Sequence, residues 1–248
     1  MTSLKERLEK GQVQQGCWLG LGTATSAEIA ATAGFDWCLI DGEHGPYDIS
    51  QVAQQARVLG PDACVRIPNA ECWMIKQVLD LGIHTVVVPM VDTADQAREL
   101  ACAMRYPSKE FPQGTRGIGA AIVRASGYNL DTSYLAQAND RVCLMVQAET
   151  TTALENLEEI CAVDGVDGVF VGPSDLAASM GYLHNLDAPE VQAAVDAALR
   201  RIAASGKIAG CLTLNKARSE HYIKMGARFV AIASDVALLS GALRAVRS

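Results

Sequence analysis

Eight short apolar segments recur along this sequence, and each is followed by a stretch patterned like an amphipathic helix. The segments hold four to seven residues and are rich in Val and Ile, as strands buried on both faces are. Regular alternation of strand and helix predicts parallel strands joined by right-handed crossovers. The predicted strands are residues 16–21, 37–40, 64–67, 85–89, 142–146, 168–171, 208–214 and 229–232.

Eight such units fit closure into a (β/α)8 barrel, with an open doubly wound sheet as the alternative. The chain has 248 residues, close to the roughly 250 of one barrel of this kind. No Pro-, Gly- or Ser-rich linker, charge block or low-complexity stretch divides it. We therefore expect one barrel domain over residues 1–248.

The composition narrows the class of partner. Acidic residues outnumber basic ones by 28 to 21, which gives a formal charge of −7 and argues against a nucleic-acid partner. No apolar run approaches the roughly 20 residues of a membrane span, and the start of the chain lacks the pattern of a signal peptide. The eight cysteines form no CxxC pair, so they predict reduced, buried thiols in a cytoplasmic protein.

The polar residues stand at the ends of the predicted strands. In a parallel barrel all these ends open on one face, where active sites are built. Residues distant in sequence should therefore meet at one mouth, and their types suggest metal-assisted chemistry on a small anion. They are Asp41-Gly42-Glu43-His44 after the second strand, Arg66 in the third, Gln147 and Glu149 after the fifth, and Gly172-Pro173-Ser174-Asp175 after the sixth.

Glu149 and Asp175 follow adjacent strands and are the candidate metal ligands. Mg²⁺ and Mn²⁺ prefer oxygen donors and often take only one or two carboxylates, with water or substrate in the other positions. The alternative is structural, because either carboxylate could simply favour the start of a helix. The Gly172–Asp175 turn also offers backbone N–H groups to an anion, although such turns are common.

His44 and Arg66 are the candidates for proton transfer and charge stabilisation. An imidazole beside carboxylates can titrate near neutral pH and act as a general acid or base. An arginine in an apolar strand needs a partner, which could be a structural ion pair at the rim or a developing enolate or carboxylate. Asp41 and Glu43 remain open between a metal-related role and a turn-forming one.

Two segments depart from the regular pattern. Residues 106–140 are too long for a plain connection and contain a predicted helix near 132–138, with no indication of their role. The predicted final helix, residues 236–246, is apolar on more than one face. That pattern favours packing against a neighbouring subunit.

Taken together, these segments resemble the HpcH/HpaI family of class II, metal-dependent pyruvate aldolases over nearly the whole chain. The combination is specific, although no single piece would be. The markers are Gly34-Phe35-Asp36-Trp37, Ile40-Asp41-Gly42-Glu43-His44, Val65-Arg66-Ile67-Pro68, Val88-Pro89-Met90, Val146-Gln147-Ala148-Glu149-Thr150, Val169 through Leu176, and Phe229-Val230-Ala231.

The resemblance implies a barrel of the phosphoenolpyruvate/pyruvate type in a homo-hexamer, a trimer of dimers, with the C-terminal helix exchanged between subunits. It implies Mg²⁺, Mn²⁺ or Co²⁺ held by Glu149 and Asp175, His44 as acid/base group, and Arg66 as transition-state stabiliser. It implies Asp80 as the acid that raises the basicity of His44, across a subunit contact. Asp41 is the rival for that role, because it is closer to His44 in sequence. The implied substrate-binding residues are Gln147, Gly172, Pro173, Ser174, Asp175, Leu212 and Trp18.

The implied activity is the reversible cleavage of 4-hydroxy-2-oxo acids to pyruvate, or hydroxypyruvate, and an aldehyde. The aldehyde is left open between succinic semialdehyde, glyceraldehyde-type sugars and simple aldehydes. Two alternatives stand beside this activity. One is a citramalyl-CoA lyase-like activity, which the lack of a basic patch for CoA disfavours. The other is a non-catalytic metabolite-binding oligomer, which the intact polar residues disfavour.

Overall fold

A computed structural model describes residues 2–247 of the chain. Its eight strands are all parallel and close in sequence order, with β1 paired to both β2 and β8. This confirms the (β/α)8, or TIM, barrel and excludes the open sheet. The strands are β1 Gln14–Leu19, β2 Trp37–Asp41, β3 Ala63–Arg66, β4 Thr85–Val88, β5 Cys143–Ala148, β6 Gly168–Val171, β7 Ile208–Leu212 and β8 Ala227–Ser234.

Helices follow every strand and cover the outside of the barrel. Within the described residues, none is long and apolar enough to cross a membrane. The helices are α1 Leu4–Glu9, α2 Ala24–Thr32, α3 Ile49–Leu59, α4 Cys72–Asp80, α5 Ala94–Met104, α6 Tyr134–Arg141, α7 Thr151–Glu155, α8 Leu157–Cys161, α9 Pro173–Ser179, α10 Pro189–Ala204, α11 Lys216–Lys224 and α12 Asp235–Ala245.

Alternate residues of each strand face opposite sides of the barrel wall, because side chains in a strand repeat with a period of two. In β6, Val169 and Val171 pack in the large cluster between strands and helices, whereas Phe170 belongs to the cluster that fills the barrel interior. The same alternation in β3 places Val65 outward and Cys64 inward. Both faces are apolar, which explains the nearly continuous apolar strands in the sequence.

The end of the barrel where the strands begin is closed by large side chains. Trp37 and Phe229 stack with ring centroids 3.8 Å apart. Leu4 and Leu8 of α1 join the same interior cluster, so α1 covers this end. The opposite end, where the strands finish, is the open mouth.

Only β6 has both predicted bounds; the ends of the other strands differ by at most two residues, and β1 and β7 show why. β1 begins at Gln14 and ends at Leu19, since the N–H groups of Gly20 and Leu21 bond to the Asp235 carboxylate instead of a neighbouring strand. β7 ends at Leu212, two residues before the predicted end. Its chain then turns toward Asn215, whose side chain accepts from Arg218 N and begins α11.

The long connection between α5 and β5 packs against the lower part of α4. Its anchor is Arg116, which is 4% exposed, donates to Asp80 Oδ1 at 2.9 Å and Tyr134 Oη at 2.8 Å, and lies over the Tyr106 ring. The helix predicted near residues 132–138 is present as α6, two residues later. Within this chain the connection therefore has a clear structural anchor.

The C-terminal helix α12 contains no buried residue. Val236, Leu238, Leu239 and Leu243 of this helix are each 43% or more exposed. The predicted apolar character of this helix is therefore confirmed, but the exchange between subunits remains a prediction because one chain cannot display it.

Gly16 sits where the closed end of the barrel leaves no space for a side chain. A Cβ at this position would fall inside van der Waals contact of the Trp37 ring. We expect Gly16→Ala to lower the free energy of unfolding by about 1–3 kcal/mol, the usual cost of overpacking, measured by denaturant titration.

Gly241→Ala is the matched control, because a Cβ there meets nothing within 4 Å and Gly241 lies inside α12. It should raise stability by roughly 0.5–1 kcal/mol, the helix preference for Ala over Gly. Equal effects of the two substitutions would contradict the packing described for the closed end.

Candidate active site

The inward-facing positions of the strands become polar as they approach the mouth. There they line a cavity of about 260 Å³. All the predicted site residues except Asp41 and Asp80 line this cavity. Phe170 also lines it, although it was not predicted to. The lining residues are Trp18, His44, Arg66, Gln147, Glu149, Phe170, Gly172, Pro173, Ser174, Asp175 and Leu212.

Arg66, the last residue of β3, is only 6% exposed and is held by Asp41 of the adjacent strand. Arg66 Nε donates to Asp41 Oδ1 at 2.9 Å and Nη2 donates to Oδ2 at 2.8 Å, a two-point ion pair. Burial raises the pKa of Asp41, but the hydrogen bonds and charge of Arg66, with help from Trp18 and the Glu43 amide, outweigh it and lower the pKa overall. Asp41 is thus a buried anion that orients Arg66 rather than a turn former alone.

The third nitrogen of the guanidinium has different neighbours. Arg66 Nη1 lies 3.5 Å from Gln147 Oε1 and 2.6 Å from Glu43 Oε2. The Glu43 oxygen is close but not aligned as a hydrogen-bond acceptor, and it has no other partner within residues 2–247. Nη1 is therefore the corner of Arg66 that Asp41 leaves available.

Glu149 lies just past β5 and is 1% exposed. Its Oε1 accepts from Met90 N at 2.8 Å, and its Oε2 accepts from Gln147 Nε2 at 2.9 Å. Burial raises the pKa of Glu149 to about 7; the Met90 N–H opposes this, and the nearby charges of Asp175 and Glu43 add to it.

Met90 takes an unusual backbone conformation, with φ of 55°. Left-handed φ values are uncommon for residues other than glycine and often mark functional sites. Here the turn after β4 directs the Met90 N–H to the Glu149 carboxylate, and the next residue, Val91, donates to Gln147 O at 3.1 Å. The turn therefore holds the Glu149 carboxylate and the backbone of Gln147.

Asp175 is an exposed residue in the first turn of α9, on the side of the cavity facing Glu149. In the described part of the chain its carboxylate accepts no hydrogen bond, so it does not cap the helix. The amide groups of Ser174 and Asp175 likewise have no acceptor among residues 2–247. These groups face the cavity without partners from the chain itself.

The donor set fits a hard divalent cation. Beyond the effect of burial, the charge of Asp175 adds to the raised pKa of both Glu43 and Glu149, and the charge of Glu43 adds to that of Glu149; a cation would relieve this repulsion. Gly172 leaves the space that the Glu149 carboxylate occupies, because a Cβ there would collide with Glu149 Oε2. Residues 2–247 contain no group of three His, Cys, Asp or Glu residues placed to hold a metal, so two carboxylates and oxygens from water or substrate are the fitting arrangement.

His44 is exposed at the edge of the cavity, in the bend after β2. Its backbone N–H donates to Asp41 Oδ1 at 3.3 Å, while nothing in the described residues bonds its ring. Asp80, the other predicted support, lies at the far end of α4, paired with Arg116. Of these two acids, only Asp41 lies near His44 within the described chain, and it contacts the backbone of the bend rather than the imidazole.

Three neighbours of the site were not assigned from the sequence. Phe170 forms part of the cavity, and alternation along β6 could have placed it there. Glu43 pairs with Arg66, a role that was left open between metal and turn. Met90 acts through its backbone conformation, for which the side chain gives no signal.

Comparison with known proteins agrees with this geometry. The family model for HpcH/HpaI aldolase/citrate lyase matches residues 14–242. The chain is 52% identical to a hydroxypyruvate/pyruvate aldolase of Agrobacterium fabrum, covering 98% of this chain and 91% of the relative. It is 49% identical to a 2-keto-3-deoxy-L-rhamnonate aldolase of Shigella sonnei, covering 96% and 89%.

A solved structure gives the same answer for the fold. The crystal structure of an HpcH/HpaI aldolase/citrate lyase family protein from Burkholderia cenocepacia matches with a TM-score of 0.94 at 37% identity, and the match covers both chains in full. The chain therefore belongs to the HpcH/HpaI aldolase/citrate lyase family and is a carbon–carbon lyase of the aldolase type.

Proposed function

We propose that this protein is a divalent-metal-dependent aldolase that reversibly cleaves 4-hydroxy-2-oxo acids to an aldehyde and pyruvate or hydroxypyruvate. The observation that carries the proposal is the single cavity that gathers His44, Arg66, Glu149 and Asp175. Relatives of about half identity are named hydroxypyruvate/pyruvate aldolase and 2-keto-3-deoxy-L-rhamnonate aldolase. These names support pyruvate or hydroxypyruvate as the oxo-acid product. They do not identify the aldehyde product of this protein.

Glu149 and Asp175 would hold the cation. The family generally depends on a divalent metal, and carboxylate oxygens are suited to Mg²⁺, Mn²⁺ or Co²⁺. When bound, the cation supplies Lewis-acid polarisation of the 2-oxo group and stabilises negative charge on its oxygen. Gln147 and the amides of Ser174 and Asp175 would bind the oxo-acid end of the substrate.

His44 and Arg66 have different roles in the proposed reaction: His44 transfers a proton and Arg66 stabilises negative charge. His44, exposed at the cavity edge, takes the proton of the 4-hydroxyl group as general base. The C3–C4 bond breaks, the C4 oxygen becomes the carbonyl of the aldehyde, and the bonding electrons leave a pyruvate enolate. Arg66 Nη1 faces the cavity and stabilises the negative oxygen. Protonation at C3 gives pyruvate, and condensation is the reverse.

We also propose that the protein is cytoplasmic and works as a homo-hexamer, a trimer of dimers, with each chain forming one barrel domain. The exposed apolar side chains of α12 support the assembly, because contiguous exposed apolar surface commonly marks a protein interface. Asp80 also faces away from the mouth of its own barrel, so any contact with His44 would come from a neighbouring chain.

The metal requirement can be tested by chelation. Exhaustive treatment with EDTA should abolish cleavage, and Mg²⁺, Mn²⁺ or Co²⁺ should restore it. Glu149→Gln should weaken Mn²⁺ binding by at least roughly 10–100-fold, the cost of losing even an outer-shell partner of a metal site, as measured by calorimetric titration. Full activity of the chelated enzyme would rule out the proposed chemistry.

The role of His44 calls for a variant that spares binding. His44→Ala should lower the rate of cleavage by about 10²–10⁴-fold, the usual contribution of one general acid or base. It should still bind Mn²⁺ and pyruvate, because His44 is not among the proposed ligands. His184→Ala, an exposed histidine outside the cavity, is the control, and equal turnover in both variants would remove His44 from the mechanism.

The proposed assembly depends on the apolar face of α12. Sedimentation velocity of the purified protein should show a particle of six chains. Leu239→Asp places a charge on that face and should reduce the particle to smaller species with little loss of helix content. A native protein that sediments as one 26.3 kDa chain would contradict the hexamer.

A further inference from the structure

Arg66 can act on a substrate only through the corner that Asp41 leaves available. Asp41 occupies Nε and Nη2 at 2.9 and 2.8 Å. Nη1 lies 2.6 Å from Glu43 Oε2, without hydrogen-bond alignment, and 3.5 Å from Gln147 Oε1, beside the cavity that Arg66 lines. A guanidinium is planar and its donors point in fixed directions. A small rotation of the plane would therefore move Nη1 away from the oxygen it has to meet.

Trp18 controls that plane by two separate contacts. The Arg66 guanidinium lies over its ring, with Cζ 4.8 Å from the ring centroid, a cation–π contact. Its Nε1 donates to Asp41 Oδ2 at 3.0 Å, the same oxygen that receives Arg66 Nη2. One residue thus fixes both the arginine and the carboxylate that orients it.

Trp18 is itself firmly held. It is 7% exposed, lies in register with Leu39 of β2, and packs against Phe170 with ring centroids 5.6 Å apart. The Asp41 carboxylate also receives the N–H groups of Glu43 and His44 through Oδ1. Displacement of Asp41 would therefore disturb the bend that carries His44 as well as Arg66.

We propose that Trp18 is a positioning residue, which holds Arg66 through the cation–π contact and through Asp41 so that Nη1 points at the anionic oxygen of the reacting oxo-acid. This goes beyond forming a wall of the cavity. The inference rests on the proposed aldolase function for its kinetic consequences. Its geometric content, the orientation of Arg66 toward an anion, can be tested without turnover.

Trp18→Phe keeps a ring against Arg66 but removes the N–H donor to Asp41. We expect kcat for cleavage to fall roughly 10–100-fold, since a hydrogen bond to a charged group is lost, while KM changes little. Trp37→Phe is the matched control. Trp37 is also buried, and its Nε1 donates to Gln14 O at the closed end of the barrel, so kcat should stay at the parent value.

A double-mutant cycle tests whether Trp18 acts through Arg66. In an Arg66→Lys background the ammonium cannot form the two-point pair, so adding Trp18→Phe should change kcat by no more than roughly twofold. An unchanged 10–100-fold effect in that background would overturn the proposal. So would a rise in KM with kcat unchanged, which is the behaviour of a pocket wall.

Oxalate binding separates this inference from the aldolase proposal. Oxalate is a planar dianion shaped like the enolate of pyruvate, and its affinity for the Mn²⁺-loaded protein can be measured by calorimetry. The same cycle should show coupling between Trp18 and Arg66 in oxalate affinity even if no cleavage is detected. Absent coupling would overturn the positioning role, whereas coupling without cleavage would overturn only the proposed aldolase function.

If Trp18→Phe fails to fold, 3-benzothienylalanine at position 18 removes the N–H with the ring shape preserved.

Discussion

The Arg66–Asp41 ion pair is the interaction on which the mouth of this barrel depends. Both residues are 6% exposed, and a buried charge left without its partner costs about 3–5 kcal/mol. The chain meets this requirement with partners on adjacent strands, Asp41 and Arg66 being in register. Because both positions belong to the sheet, the pair holds the guanidinium at a fixed place rather than on a mobile loop.

Fixing Arg66 also determines the charge balance around it. One guanidinium stands against Asp41, Glu43, Glu149 and Asp175, and burial together with mutual repulsion raises the pKa of both Glu43 and Glu149. A dication beside Glu149 and Asp175 would offset this excess, and the oxo-acid would return negative charge to the same space. The arrangement is thus suited to bind cation and anionic substrate together rather than the substrate alone.

Several site residues could be predicted from the sequence because they interrupt apolar strands at their ends. Arg66, Gln147 and Glu149 could be found in this way, since closure of the barrel brings all strand ends to one mouth. Phe170 is apolar within an apolar strand, so only its alternation with Val169 and Val171 distinguishes it. Met90 could not be found, because its contribution is a backbone angle.

Asp80 shows a different limit of sequence reasoning. The family resemblance suggests a role beside His44, yet α4 carries it toward the closed end of the barrel, where Arg116 binds it. The order of strands and helices in one chain predicts which residues meet at the mouth of its own barrel. It does not predict which residues of a neighbouring chain reach that mouth. The resemblance alone therefore cannot decide between Asp41 and Asp80.

The site residues divide into a fixed set and an accessible set. Arg66, Gln147 and Glu149 are buried and hydrogen-bonded to one another or to the adjacent turn, so their orientation is determined before a substrate arrives. His44 and Asp175 are exposed, and neither side chain has a hydrogen-bond partner within residues 2–247. Preorganised dipoles and charges stabilise developing charge without reorganisation during the reaction. The general base that we propose needs access to substrate and solvent instead, and the bend after β2 leaves His44 exposed while Asp41 holds its backbone.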